Sequence, residues 1–369
     1  METESISPTF CVVPWTQIAT NSMGAYRVCC NATQAKNLVR NEAGVPLRVQ
    51  TASAEEVWNS PTYRKIRTQM LSGERPEMCE RCFREEDSGV QSARQNWNLQ
   101  GRPADPKSMA PLDVKIVDLR LGNLCNLKCR MCNPYSSSQW VEDWNELAGT
   151  AELTPNSPLP LDELQRIRNV DWPQDPKSWQ HLSEVLNSVE EIYLTGGEPF
   201  LSLEQSRLLT RLVEQGRASS VILRYNTNLT TLPEKLIGLW KHFKLIRLNI
   251  SFDGHGELSD YIRYPSRWEQ LESHFKTLIQ LKKNGLPLEL TIHTTVQMYN
   301  ITRLHQSVAY FWDQYQMVPY MNLLNHPYCL NIRVLPDSLK AKALDGLQPF
   351  LHHKSIAQVA KYLSCDSWN

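Results

Sequence analysis

The sequence predicts an α/β protein in which parallel strands form a partial barrel or an open sheet, preceded by a smaller α+β domain. Two observations carry this prediction. From residue 114 onward, short β-rich runs alternate with longer amphipathic segments to give six strand–helix units, and such units are usually joined by right-handed crossovers between parallel strands. Five of the ten cysteines lie before a polar, proline-containing stretch at 100–111, which has the composition of a linker.

The elements of the larger domain follow from these alternating patterns. Its predicted strands are 114–119, 191–194, 221–225, 246–252, 288–296 and 330–335. Its predicted helices are 136–147, 201–214, 233–243, 267–284, 303–315 and 337–347. Pro233 and Pro336 lie where helices begin, and Gly285 follows a helix that ends in two lysines. The first crossover, 150–180, is rich in proline and tryptophan, so we expect an irregular insertion there.

The N-terminal region has a different pattern. It is predicted to begin with two strands and an intervening turn, at 12–20, 26–30 and 21–24. Ser53 with Glu56 predicts a capping box that opens a helix, and Ser60 followed by Pro61 predicts the start of a second helix. The resulting domains are 1–110, 111–336 and a helical tail at 337–369.

Composition bounds the function. Basic and acidic residues number 39 each, and this balance disfavours nucleic acid as a partner because proteins that grip phosphate backbones usually carry a basic excess. The first eight residues do not have the pattern of a secretory signal, and no apolar stretch is long enough to span a bilayer. We therefore expect a cytoplasmic protein with no membrane partner. In that reducing compartment, ten cysteines indicate metal or redox chemistry.

Three of these cysteines, Cys125, Cys129 and Cys132, follow the first predicted strand of the larger domain. A 4Fe–4S cluster normally takes four cysteines, one on each iron. Three ligands from one loop leave the fourth iron open for an outside ligand, as a catalytic zinc keeps one free position. The amino and carboxylate groups of S-adenosylmethionine (SAM) can chelate such an iron. A zinc site or a structural knuckle is the alternative that this spacing alone leaves open.

The segment Cys125-Asn-Leu-Lys-Cys129-Arg-Met-Cys132 resembles the signature loop of the radical SAM superfamily. The resemblance extends over about 111–336. It implies a TIM-like partial (β/α)6 barrel and a 4Fe–4S cluster that cleaves SAM to a 5′-deoxyadenosyl radical. The segment Gly196-Gly-Glu-Pro199 resembles a second motif of the family, which implies that Gly196, Gly197 and Glu198 hold the SAM amino group.

Further segments at predicted strand ends resemble other SAM contacts of the family. Asn226 and Asn228 correspond to a polar segment that meets the ribose, and Ser251 corresponds to a second ribose or carboxylate contact. Arg263 corresponds to an arginine that pairs with the SAM carboxylate, a role that suits its bidentate fork. Met131 replaces an aromatic residue that often stacks near the adenine, and a thioether can pack against the same π face.

A second set of cysteines lies in the N-terminal region, at Cys11, Cys29, Cys79 and Cys82. By spacing alone, these thiols fit a zinc ribbon or a fully ligated 4Fe–4S cluster equally well. The pattern resembles the twitch module, a shortened SPASM domain, of certain radical SAM enzymes, although such modules commonly follow the barrel. This resemblance implies an auxiliary 4Fe–4S cluster, with the adjacent Cys30 as an alternative ligand to Cys29.

The family resemblance implies an enzyme that abstracts hydrogen from a peptide or a small natural-product substrate. Four cysteine ligands leave no open iron, so we expect the auxiliary cluster to relay electrons in net oxidation or cross-link formation. A flavodoxin- or ferredoxin-type protein is the expected electron donor. Two alternatives are a redox-neutral epimerase with Cys365 as hydrogen donor, and a zinc-binding regulatory or interaction protein. Cys329 is expected to be a small buried side chain.

Overall fold

The structure is a computed structural model, and it describes residues 7–32, 37–99, 101, 106–148 and 161–365. The chain forms two compact units. The first unit comprises Met1–Asn123, Asn169–Gly197 and Ser220–Ile222. The second unit comprises Leu124–Arg168, Glu198–Ser219 and Leu223–Asn369.

Strands and helices alternate along most of the described residues. The strands are β1 (Gln17–Thr20), β2 (Tyr26–Arg27), β3 (Ile116–Arg120), β4 (Glu191–Thr195), β5 (Ile222–Thr227), β6 (Leu245–Ser251), β7 (Leu288–Val296) and β8 (Tyr320–Leu323). The α-helices are α1 (Val13–Thr16), α2 (Ala54–Trp58), α3 (Pro61–Leu71), α4 (Glu80–Asp87), α5 (Ala93–Asn98), α6 (Val141–Ala148), α7 (Leu161–Arg168), α8 (Pro176–Ser188), α9 (Leu203–Glu214), α10 (Glu234–Trp240), α11 (Gly256–Ile262), α12 (Trp268–Lys283), α13 (Leu304–Tyr315), α14 (Asp337–Leu347) and α15 (Lys354–Leu363). Within the described part of the chain, no helix combines the length and the apolar character needed to cross a membrane.

Parallel pairing dominates both units. In the first unit the strand order is β2-β1-β3-β4, with β2 antiparallel to β1 and the other pairs parallel. In the second unit the order is β5-β6-β7-β8, and β7 is parallel to both of its neighbours. The predicted fold class, an α/β protein built on parallel strands, is confirmed.

Strands β5, β6 and β7 of the second unit bury every second residue. In β6, Ile246, Leu248 and Ile250 are wholly buried, whereas the residues between them are half-buried. Since successive side chains of a strand point to opposite faces, Ser251 lies on the face opposite these apolar residues. The same alternation in β5 places Asn226 on the half-buried face. The period of two therefore sends the apolar residues to the core and the polar candidates to the other face.

The sixth predicted strand, at 330–335, is wrong. These residues lie in two short 3-10 helices, Tyr328–Leu330 and Ile332–Val334. The side chain of Asn331 accepts a 2.9 Å hydrogen bond from the Arg333 amide and so closes a local turn that competes with a strand. The strand that pairs with β7 is instead β8, whose four residues are too short to give a clear pattern in the sequence.

The first predicted strand of the N-terminal region is only half right. Its first half is α1, because Pro14 lies in the first turn, where its fixed φ favours a helix. Its second half is β1, as predicted. The turn between β1 and β2 is confirmed: Gly24 has φ +77° and donates a 3.0 Å hydrogen bond to the Asn21 carbonyl. The second strand ends at Arg27 rather than at residue 30.

Both predicted helix starts in this region are confirmed. Ser53 and Glu56 form a reciprocal capping box at α2, and Ser60 caps α3 with Pro61 in its first turn. The prediction missed α4, which is short and highly charged, and α5, which has only six residues. Part of the predicted linker and part of the first crossover, 100, 102–105 and 149–160, lie outside the described residues. The rest of that crossover holds α7 and the start of α8 rather than an irregular insertion.

Candidate iron–sulfur and cofactor site

The loop that carries Cys125, Cys129 and Cys132 comes directly after β3 in the chain. Its backbone forms hydrogen bonds with the end of α11 and the residues just after it. The Lys128 amide donates a 2.6 Å hydrogen bond to the Tyr264 carbonyl, and the Arg130 amide donates a 2.9 Å hydrogen bond to the Ile262 carbonyl. These two bonds leave the loop little freedom to change its path, so the three thiols keep a fixed arrangement.

The three thiols pack into one cluster of side chains. Cys125 and Cys129 are buried together with Leu127, and Met131 and Cys132 pack against them. The Ser137 hydroxyl donates a 2.6 Å hydrogen bond to the Leu127 carbonyl, which ties the loop to the chain that follows it. The structure therefore brings together all three predicted cluster ligands, and it places Met131 beside them.

Burial holds these thiols in their protonated form. It raises the pKa of Cys129 to about 12 and that of Cys132 to about 11, because a thiolate loses its hydration there. The nearby Arg263 guanidinium opposes the rise at both positions. Since iron binds thiolates, loading of a cluster must displace these protons.

Arg263 places a buried cation beside the cysteine loop. Its Nη1 lies 4.0 Å from the Cys129 sulfur, and its Nε lies 2.9 Å from Oδ2 of Asp253. The Asp253 side chain is wholly buried, and its Oδ1 accepts a 2.7 Å hydrogen bond from the Thr295 amide. This buried carboxylate fixes the guanidinium beside the sulfur.

Glu198 is buried at the end of the Gly-Gly-Glu-Pro segment. Its Oε1 accepts hydrogen bonds from the Phe200 amide at 3.1 Å and the Thr227 hydroxyl at 2.7 Å, and its Oε2 accepts one from the Asn228 amide at 2.6 Å. A carboxylate has about four acceptor sites, so about one is left on Oε2 for a ligand. Burial raises the pKa of Glu198 to about 7, and the three hydrogen bonds oppose that rise.

Asn228 joins the end of β5 to the cysteine loop. Its Nδ2 lies 3.9 Å from the Cys125 sulfur and donates a 3.1 Å hydrogen bond to Oδ1 of Asn126. Asn226 instead accepts a 2.8 Å hydrogen bond from Asn249 on β6. Ser251 ends β6 on the same half-buried face. The structure thus places Asn228 against a thiol, and it places Asn226 and Ser251 on strands β5 and β6.

Gly196 permits a close backbone approach that no other residue could make. It has φ +136°, and a Cβ built there would lie 2.8 Å from the carbonyl oxygen of Gly122. The next amide, that of Gly197, donates a 3.2 Å hydrogen bond to the same oxygen. The two glycines therefore hold the end of β4 against the start of the loop that follows β3.

The N-terminal cysteines meet around a cavity in the first unit. The thiols that line it belong to Cys11, Cys29, Cys79 and Cys82. Burial raises the pKa of Cys79 to about 12 and that of Cys82 to about 11.

Cys30 does not line this cavity. Its half-buried side chain forms a hydrogen bond with the Cys29 side chain and also interacts with the charges of Asp118 and Arg120 on β3. The geometry therefore favours Cys29 over Cys30 as the fourth ligand.

The four thiols fit an iron–sulfur cluster. Such a cluster takes one thiolate on each iron, so its ligands surround a volume, and here they line one cavity. Among the residues that the structure describes, no three histidine, cysteine, aspartate or glutamate side chains are close enough to hold a single metal ion.

A parallel α/β fold with one thiol-bearing loop and a separate cavity of four thiols defines an iron–sulfur enzyme. The family comparison gives the particular family. Residues 119–305 match the model of the radical SAM superfamily, which is half of the 369 residues. The chain belongs to the radical SAM superfamily, whose cofactors are SAM and a 4Fe–4S cluster. Residues 11–83 match the SPASM model, an iron–sulfur cluster-binding domain, and this match agrees with an auxiliary cluster before the barrel rather than with zinc.

Several solved structures resemble the chain. Native anSMEcpe with bound AdoMet and Cp18Cys peptide has 17% identity and a TM-score of 0.39, and the alignment covers 62% of this chain and 57% of that chain. SuiB of Streptococcus suis bound to S-adenosylmethionine has 13% identity and a TM-score of 0.37, with 62% and 43% covered. The chain thus spans less than two thirds of these relatives. No curated protein matches the chain.

Two isolated cysteines lie at the surface or along a helix end. Cys329 is exposed, so its prediction as a buried side chain is wrong. It lies in the short 3-10 helix Tyr328–Leu330. Cys365 follows α15, and its thiol lies 3.4 Å from the Lys361 carbonyl of that helix.

Sequence reasoning missed several polar partners of the site. Asn126, Thr227 and Thr230 join the network around Asn228 and Glu198. The first two lie within motifs that the sequence already singled out, so their position was the available signal. Arg94, which lines the cavity of the four N-terminal thiols, gave no signal because an arginine in a short helix is normally solvated.

Proposed function

We propose that this radical SAM enzyme oxidises or cross-links a peptide or small natural-product substrate, with the auxiliary cluster as an electron relay. The observation that carries the proposal is the pair of thiol sets: three thiols in a loop, which leave an iron open, and four around a cavity, which do not. The resemblance to radical SAM enzymes with an auxiliary-cluster module favours these two substrate classes. When bound, SAM and its cluster supply the 5′-deoxyadenosyl radical that takes hydrogen from the substrate.

The roles of the residues follow from their contacts. Cys125, Cys129 and Cys132 would ligate three irons of the SAM-binding cluster. Arg263, fixed by Asp253, would offer its guanidinium to the SAM carboxylate. Glu198 offers its remaining acceptor site on Oε2 to the SAM ammonium.

The other predicted SAM contacts are proposed from the family resemblance. Gly196 and Gly197 supply a backbone that a ligand can approach closely. Asn226, Asn228 and Ser251 offer polar groups to the ribose. Met131 packs at the edge of the thiol cluster and offers a thioether to the adenine.

The relay proposal rests on the closed ligand set of the N-terminal cavity. Cys11, Cys29, Cys79 and Cys82 would occupy all four irons, which leaves none for substrate. In a net oxidation the substrate radical must lose a second electron and a proton, and a buried cluster can accept that electron. A flavodoxin- or ferredoxin-type protein is the proposed source of the first electron.

The first experiment is reductive SAM cleavage by anaerobically reconstituted protein, with dithionite and then reduced flavodoxin as donors. The comparison is wild type against the Cys125/Cys129/Cys132→Ala variant, with iron counted in both. Wild type is expected to form 5′-deoxyadenosine, and the variant to lose that activity and about four irons while it keeps the rest. Wild-type protein that holds no iron and cleaves no SAM would overturn the proposal.

The net reaction needs a second experiment. Peptides are incubated with the loaded enzyme and SAM, and products are weighed by mass spectrometry in deuterated solvent. Oxidation or cross-linking predicts a product that has lost two hydrogens. A product in which one hydrogen is replaced by one deuterium, with no other change, would contradict the relay role and support epimerisation. Cys365→Ala would then be tested as the donor variant.

A further inference from the structure

We propose that the fixed positive charge of Arg94 makes the reduction potential of the auxiliary cluster more positive. Among the described residues that line the four-thiol cavity, Arg94 has the one charged side chain. Its side chain is only 8% exposed. Its contribution to turnover rests on the proposed relay role, whereas its effect on the potential does not.

Arg94 is held in place from three sides. Its Nε and Nη2 donate hydrogen bonds of 2.9 and 2.5 Å to the two carboxylate oxygens of Glu86. Its Nη1 donates a 2.6 Å bond to the carbonyl of Phe10, the residue before Cys11. The guanidinium also stacks over Phe83, the residue after Cys82, at 5.0 Å. The cation is therefore anchored to the neighbours of two cluster ligands and cannot swing into solvent.

The charge of Arg94 reaches the ligands themselves. It acts on the thiols of Cys11 and Cys79, and its backbone amide forms a hydrogen bond with the Cys82 sulfur. Net charge, hydrogen bonds to sulfur and solvent exposure are the properties that set the potential of an iron–sulfur cluster. A cluster that gains one electron gains one negative charge. A fixed cation at short range stabilises that reduced form, and burial strengthens the effect because water screens it less.

Removal of the Glu86 charge should shift the reduction potential in the opposite direction to removal of the Arg94 charge. The Glu86 side chain is 13% exposed, and it neutralises Arg94 from the side away from the cavity lining. Removal of its charge leaves the cation of Arg94 uncompensated, which favours the reduced cluster. A purely structural role, in which the Arg94–Glu86 pair only joins α4 to α5, predicts no such reversal of sign.

The experiment uses the full-length Cys125/Cys129/Cys132→Ala protein, reconstituted so that it carries the auxiliary cluster alone. Its potential is measured by redox titration followed by visible absorption and electron paramagnetic resonance, without SAM or substrate. Arg94→Gln is expected to disfavour one-electron reduction by about tenfold or more, which is a shift of about 59 mV to more negative potential. Glu86→Gln is expected to shift the potential in the positive direction. Arg94→Lys, which keeps the charge, is expected to stay closer to the parent than Arg94→Gln.

Two outcomes would overturn the inference. One is an unchanged potential in both glutamine variants at full iron content, and the other is a shift of the same sign in both. If Arg94→Gln fails to hold iron, Glu86→Gln decides, because a potential that does not rise there contradicts the proposal. A failure of the relay role would show in the substrate products instead, so the two failures are distinguishable.

Discussion

Asp253 and Arg263 form a buried ion pair beside the cysteine loop, with 2.9 Å between Oδ2 and Nε. The two side chains are 0% and 10% exposed. The guanidinium in turn lies 4.0 Å from the Cys129 sulfur. The pair therefore links the end of β6 to a cluster ligand, and neither charge has enough water around it to stand alone.

Loss of the carboxylate charge should destabilise the protein. Asp253→Asn keeps an acceptor for the Thr295 amide but leaves Arg263 buried without its counter-charge, so we expect the free energy of unfolding to fall by about 3 kcal/mol. Denaturant titration of the ligand-free protein measures this. The matched control is Asp162→Asn, at a surface pair where the side chain is 77% exposed, with an expected change below about 0.5 kcal/mol. Equal changes in the two variants would contradict the role of the buried pair.

Glu198 should make stability depend on pH. Its pKa is about 7 in the folded protein against 4.5 for a free glutamate, so the folded state binds more protons between these values. The free energy of unfolding should therefore fall as pH rises through that window, by up to about 3 kcal/mol, and stay low above it. Denaturant titrations from pH 4.5 to 8 measure this contribution as the difference between wild type and Glu198→Gln.

A control variant separates the effect of the Glu198 charge from that of the hydrogen bonds it accepts. Thr227→Val removes the 2.7 Å bond to Oε1 but keeps the titrating carboxyl, so the fall in stability with rising pH should remain. If Glu198→Gln shows the same pH dependence as wild type, another group is responsible.

Substitution of two adjacent cysteines, Cys29 and Cys30, tests which of them is a ligand of the auxiliary cluster. Cys29 lines the cavity with the other three thiols, and Cys30 does not. We expect Cys29→Ser to lose most of the auxiliary cluster, about four irons per chain, and Cys30→Ser to keep it. Iron analysis and visible absorption after anaerobic reconstitution measure this. The reverse result would assign the ligand to Cys30.

Gly196 should tolerate no side chain. An added Cβ would lie 2.8 Å from the Gly122 carbonyl, and the backbone there has φ +136°. We expect Gly196→Ala to lower the free energy of unfolding by more than about 2 kcal/mol and to weaken SAM binding. Gly216→Ala is the control, because Gly216 also has positive φ but has nothing within 4 Å of an added Cβ. It should cost about 1 kcal/mol and leave SAM binding intact.

The sequence predicted five of the larger domain's strands because their apolar runs are long enough to show a pattern. It failed at β8, which has four residues. The run at 330–335 is apolar as well, but Asn331 and the following Pro336 favour local turns over pairing. α1 was missed for a related reason, since Pro14 favours a first helical turn within residues that otherwise look like a strand.

The order and spacing of the motifs, through their resemblance to a known family, predicted the family and the three thiols of a SAM-binding cluster. They did so because a cluster that leaves one iron open needs three cysteines in one loop, and that pattern is local in the chain. Only the tertiary structure decided which neighbours act on those thiols. Arg263 with Asp253, and Arg94 with Glu86, are brought to sulfur by packing between distant segments. The choice of Cys29 over Cys30 likewise depends on which side chain faces a cavity, and no local pattern records that.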